Sequence, residues 1–128
     1  MRKPIATMLL AAVSSSAMAE WVQVSGTESN TVYADPATIH IAGNTVKMWN
    51  LFDLRTARLL DKQPYMSMKR QVEYDCKEER SRLLSFSGHS DNMAGGEVVF
   101  SDSDPHNWEP VSPGSGNETL WKIACGKR

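Results

Sequence analysis

Two cysteines stand in the chain, Cys76 in Tyr74-Asp75-Cys76-Lys77 and Cys125 in Ala124-Cys125-Gly126, and their separation by 49 residue steps is the strongest constraint on the fold. What they become depends on the compartment, which the amino terminus indicates. Arg2 and Lys3 precede an apolar run from Ile5 to Val13, and small residues follow as far as Ala17-Met18-Ala19. A basic start, a short apolar stretch and an Ala-x-Ala end make a secretory signal peptide. A spanning helix needs about 20 apolar residues, and this run gives way at Ser14-Ser15-Ser16. Residues 1–19 are therefore expected to be cleaved, leaving one exported domain over 20–128, periplasmic or secreted. The cleavage point carries alanine then glutamate, so no lipid-accepting cysteine is expected there.

Disulfides persist in oxidising compartments, and free thiols are the exception there. Cys76 and Cys125 are expected to pair. A catalytic thiol would call for a partner histidine, whereas His89 and His106 lie in unrelated contexts. Loss of Arg2 and Lys3 takes the 14 Lys and Arg to 12 against 15 Asp and Glu, a net charge of −3. That balance argues against nucleic acid, which asks for a basic face.

Alternation of apolar and polar residues is strongest in Ile39-His40-Ile41-Ala42-Gly43-Asn44-Thr45-Val46-Lys47-Met48, where Gly43-Asn44 signals a hairpin. A two-residue turn sets Ala42 against Thr45, and it sets the apolar partners, Ile41 against Val46 and Ile39 against Met48, on one face, with His40 against Lys47 on the other. Upstream, residues 21–26 and 31–35 read as short strands, and Asp35-Pro36 as a turn feeding the hairpin. Residues 67–76 alternate again. Met68, Val72, Tyr74 and Cys76 share one face, while Lys69, Gln71, Glu73 and Asp75 share the other. Arg70 breaks the pattern by falling on the apolar face, which places it at the sheet margin or against a partner; the margin is the simpler expectation, since long basic chains snorkel.

Residues 81–88 are expected to return antiparallel, and 95–100 to form a last short strand. Residues 101–114 are polar, proline-rich and without period, a long loop pinned by Trp108 and Val111. Ser115-Gly116-Asn117-Glu118 has the Ser-x-x-Glu form of a capping box, so a helix is expected from about Asn117 to Ala124, stopping before Gly126. Leu120, Ala124 and either Ile123 or Trp121 fall at helical spacing, carrying Cys125 toward Cys76. The segment from Arg55 to Pro64 reads equally as a helical turn or a loop. The expected fold is α+β: an antiparallel sheet of about six strands, a carboxy-terminal helix packed on it, and one disulfide.

The order Trp21-x-x-Val24, Val32-Tyr33-x-Asp35, Gly43-x-x-Val46-x-x-Trp49, Tyr74-Asp75-Cys76, Arg80, Met93, Trp108-x-x-Val111-x-Pro113-Gly114-Ser115 and Cys125 resembles the bacterial surface-adhesin protein E family over the whole mature chain. The resemblance implies an antiparallel sheet backed by a helix, exposure outside the inner membrane, adhesion to host extracellular-matrix proteins and the option of a homodimer. It implies no catalysis.

The residues themselves carry no Gly-x-Ser-x-Gly, phosphate loop, His-Glu-x-x-His or repeated Cys-x-x-Cys. No catalytic residue and no cofactor is expected. Asp102, Asp104 and His106, or His89 and Asp91, are the only local groupings that suggest a metal, and solvated loop residues are their plainer reading because hard cations take six or more oxygens. The expected function is non-covalent recognition of proteins, with Lys69, Arg70 and Trp108 as candidate binding residues. The alternative is a periplasmic accessory protein or small-ligand carrier, and a carrier needs an apolar pocket that so small a domain can scarcely enclose.

Overall fold

The computed structural model describes residues 20–126. Seven strands follow one another along the chain: β1 (Val22–Gly26), β2 (Asn30–Ala42), β3 (Thr45–Leu60), β4 (Gln63–Asp75), β5 (Arg80–His89), β6 (Val98–Asp102) and β7 (Glu109–Pro110). They are followed by one helix, α1 (Gly116–Cys125), and a single 3₁₀ turn spans Asn92–Ala94. The sheet is an antiparallel meander in the order β1-β2-β3-β4-β5-β6, and the two residues of β7 pair with the far half of β5. Each connection is local, so strand order in space repeats strand order in sequence.

The central register follows the alternation of apolar residues. Ala42 pairs with Thr45, Ile41 with Val46 and His40 with Lys47 around Gly43, whose φ of +65° is the left-handed conformation glycine adopts freely. Val46 lies opposite Tyr74, and Met48 opposite Val72. All four are buried on one face, here the inner face, together with Val32, Ala34 and Cys76. Leu120 and Ala124 of α1 close this core, with Trp121 and Ile123 packed beside them. The Ser115 hydroxyl caps α1 by accepting from the Glu118 N–H at 3.1 Å, and the Glu118 carboxylate reaches back to the Gly114 N–H at 3.0 Å. The capping box forms with its second arm displaced by one residue. Cys76 and Cys125 are joined, their Cα atoms 5.6 Å apart, and the Trp121 indole N–H donates to the Asp75 carbonyl at 3.0 Å.

Three expectations are corrected. Asp35-Pro36 is a bulge inside β2 and not a turn between strands: the ladder to β3 breaks between Asp35 and His40, and the Thr38 hydroxyl bridges the gap, donating to the Asp35 carbonyl at 2.6 Å and accepting from the Trp49 N–H at 3.0 Å. Pro36 is tolerated because no ladder bond is asked of it there. The segment from Arg55 to Pro64 is neither helical turn nor loop. It extends β3 and β4 into a two-stranded arm, with Arg58 opposite Tyr65, Leu59 opposite Pro64 and Leu60 opposite Gln63. Asp61 and Lys62 turn the chain at φ of 49° and 69°, the pair of left-handed residues that a tight hairpin turn requires. Finally, Arg70 does not lie at the margin, because β4 is flanked on both sides, by β3 and β5.

Candidate functional site

The outer face of the sheet collects the polar residues of the alternating runs. β4 points Lys69, Gln71, Glu73 and Asp75 outward, and β5 does the same with Arg80 and Arg82 beyond a register shift at Leu84. Cross-strand pairing sets Glu73 against Arg82 and Asp75 against Arg80, and both become ion pairs, at 2.8 and 2.9 Å. The two carboxylates are buried while their arginines stay half-buried. Burial works against the charge on Asp75, but the N–H groups of Glu78 and Lys77 and the Arg80 guanidinium all donate to it. Its pKa consequently lies below the ordinary carboxylate value. The charged run around Cys76 thus organises the tight turn from β4 to β5 and orients two arginines.

Those arginines form a clamp. Trp108 is met by the Arg80 and Arg82 guanidinium groups at 4.9 and 4.7 Å from its ring. The loop that carries it is held along the edge of β5 by the His106 N–H on the Leu83 carbonyl at 2.8 Å, by β7, and by the Val111 N–H on the Glu79 carbonyl at 3.0 Å. Toward the other end of the same face, the Lys69 ammonium sits 4.9 Å from the Trp49 ring. Between the two cation–aromatic pairs lies a cavity of about 480 Å³ lined by Lys47, Gln71, Glu73, Arg82, Ser85 and Pro105. Lys69 and Trp108, singled out from sequence, therefore share a face. Arg80 and Arg82 were missed, although their one-residue spacing in a strand already places both on one side.

Arg70 occupies the opposite, inner face. Its Nε donates to the Asn50 side-chain oxygen at 3.1 Å, its guanidinium lies 4.4 Å from the Phe52 ring, and no carboxylate pairs with it among the described residues. Burial lowers its pKa, opposed by the nearby Tyr74 oxygen. Asn50 in turn donates to the Tyr74 hydroxyl at 3.2 Å, and burial pushes the pKa of Tyr74 up to about 12 against the pull of Arg70 and Asn50. Beyond the amino-terminal end of α1 this face opens into a cavity of about 510 Å³ lined by Phe52, Arg70, Val72, Leu83, His106 and Asn117 among others. Adjacent in sequence, Lys69 and Arg70 serve different sides of the molecule.

The groupings that suggested a metal stay apart. His106 Nε2 is 3.9 Å from Asp102, and both groups are well exposed; Asp104 uses its N–H on the Asp102 carboxylate at 3.1 Å. Among the described residues no group of three or more His, Cys, Asp or Glu is placed to hold a metal ion. His89 is buried and its Nε2 lies 2.8 Å from the Ser87 hydroxyl, with no carboxylate hydrogen-bonded to the ring among the described residues. Burial, and then the charge on Lys69, depress its pKa. No helix of the described residues is long and apolar enough to cross a membrane.

A family model described as surface-adhesin protein E matches residues 21–126. Similar folds occur in two structures of Haemophilus influenzae protein E, one of them its crystal form II. Each superposes with a TM-score of 0.60 at 10% identity, covering 86% of this chain and 93% or 97% of the other. Protein E from non-typeable Haemophilus influenzae superposes at 0.54 with 12% identity, over 83% of this chain and 75% of that one. At such identities the likeness is one of fold. No curated protein matches the sequence.

Proposed function

This chain belongs to the surface-adhesin protein E family, and from that premise we propose that it is a non-covalent protein-binding module whose partners include host extracellular-matrix proteins. It reaches its place of action by export, with residues 1–19 removed as a signal peptide, a segment outside the described residues. The observation that carries the reading is the outer face, where Lys69 on Trp49 and the Arg80–Trp108–Arg82 clamp flank a polar cavity. Tryptophan and arginine are the residues that protein interfaces favour, because they bring large contact area and a polar handle together. The ion pairs behind the arginines fix their direction, so less side-chain freedom is lost on docking.

A second reading, a small-ligand carrier, has one observation in its favour: the inner cavity falls in the size range of ligand pockets and is lined by Arg70, which pairs with no carboxylate among the described residues. The test that separates the two uses the purified exported protein against immobilised matrix proteins and envelope extracts. Saturable binding that Trp108→Ala or Lys69→Ala weakens supports the binding module. Absence of any protein partner, together with uptake of a small molecule that Arg70→Met abolishes, overturns it in favour of the carrier.

A further inference from the structure

The arm at the end of β3 and β4 takes no part in the site above, and it combines exposed leucines with cationic side chains. The last body pair is Asp53 with Ser67, and four residue steps from Ser67 to Gln63 carry the arm about 13 Å past it. Every residue from Arg55 to Pro64 is exposed, Leu59 to 69% and Leu60 to 39%. Arg55, Arg58 and Lys62 make no ion pair among the described residues, and Asp61 is the only acidic residue of the segment, so the arm is cationic on a chain whose formal net charge is −1. Two further exposed apolar residues stand at this same end of the sheet. Met93, 41% exposed, is held by its N–H on the Asp53 carboxylate at 2.7 Å, and Val98, 59% exposed, pairs with His89 beside Ser67.

We infer that the arm tip inserts into the surface of an anionic phospholipid bilayer. The distribution of its apolar groups selects this occupant over a protein groove. Leu59 and Pro64 project to one face of the two-stranded ribbon, and Leu60 to the other, the face of Arg58 and Tyr65. A protein surface laid against the ribbon covers one of these faces and leaves the other wet. Edge-on entry along the β3 side of the arm, into the boundary between headgroups and acyl chains, takes in Leu59 and Leu60, one from each face, while Asp61 and Lys62 of the turn stay at headgroup level and Arg58 and Arg55 reach back to the phosphates. The turn through Asp61 and Lys62 contains no glycine and is supported by ladder pairing up to Leu60–Gln63, so the tip is presented as a formed element.

The test is co-sedimentation of the exported protein with phosphatidylcholine vesicles, with and without phosphatidylglycerol, beside Leu59→Ser/Leu60→Ser and Arg58→Gln/Lys62→Gln variants. These side chains are exposed, so the variants are expected to melt with the parent protein, and thermal unfolding checks it. The parent is expected to prefer the phosphatidylglycerol vesicles. The leucine variant should partition about ten-fold more weakly, and the cation variant should lose the preference and its salt dependence. Sedimentation of the parent with neither vesicle, or of the folded variants to the parent's extent, overturns the inference. So does a loss of matrix-protein binding in the leucine variant with vesicle binding unchanged, which would make the arm a protein contact.

Discussion

Replacing both cysteines, as Cys76→Ala/Cys125→Ala, removes the one covalent tie between sheet and helix without leaving a reactive thiol. The tie closes a loop of 49 positions, which in the chain-entropy account restricts the unfolded chain by about 4 kcal/mol. The native state keeps other holds on α1: Leu120 and Ala124 are fully buried, and Trp121 donates to the Asp75 carbonyl at 3.0 Å. A ten-residue helix has little stability alone, but these contacts keep it docked. The variant should therefore fold and be weaker by about 4 kcal/mol. With an unfolding entropy of about 0.23 kcal/mol/K for a domain of about 110 residues, the melting temperature should fall by about 17 °C. Urea unfolding followed by tryptophan fluorescence and a calorimetric melt measure the two quantities independently. A loss under about 1 kcal/mol, or an oxidised parent whose melt is unchanged by reductant, would refute the reasoning.

Tyr74→Phe deletes the hydroxyl that accepts from buried Asn50, and leaving that amide donor without a partner should cost about 1–3 kcal/mol; a urea midpoint within error of the parent would contradict the network. His89 has a folded-state pKa below its unfolded value of 6.5, so the neutral ring favours the fold. Its contribution is complete above about pH 6.5 and is lost as pH falls from there toward the folded pKa. Stability should decline over that window in the parent and stay flatter in His89→Gln, whereas the Asp75 contribution disappears only below pH 3.8, and equal slopes in parent and variant would remove His89 from the account. Mass spectrometry of the exported protein should give an amino terminus at Glu20; Met1 or a lipid adduct would overturn the proposed processing.

Much of the fold was legible because one face of the sheet is dry. Met48, Val72 and Tyr74 had to alternate with Lys47, Gln71 and Glu73, and that fixed the register and the side on which Cys76 and α1 meet. The arm was illegible for the converse reason: both of its faces are wet, so nothing imposes alternation on Arg55-Thr56-Ala57-Arg58-Leu59-Leu60. Pro36 suggested a turn because a proline disrupts a ladder, yet the Thr38 hydroxyl takes over the missing bonds. In the candidate site, alternation placed Lys69 outward. The position of Arg70 depended on an inward-facing Asn50 across the strand, and that of Trp108 on a loop with no period that returns to β5 from 26 residues beyond Arg82. Alternation placed Glu73 and Asp75 on the outer face, and it is their pairing with Arg82 and Arg80 across β4 and β5 that buries them there.

Lys69 and Arg70 are neighbours on one strand and point to opposite faces, so a pair of substitutions reads which face meets the partner. The decisive measurement is the equilibrium affinity of Lys69→Glu and Arg70→Met for the proposed matrix-protein partner, both variants first shown to melt cooperatively. If the partner docks on the outer face, Lys69→Glu should bind about ten-fold more weakly, a loss of about 1.4 kcal/mol, and Arg70→Met should stay within about two-fold of the parent. An affinity lost with Arg70→Met and kept with Lys69→Glu would contradict the account and place recognition in the inner cavity.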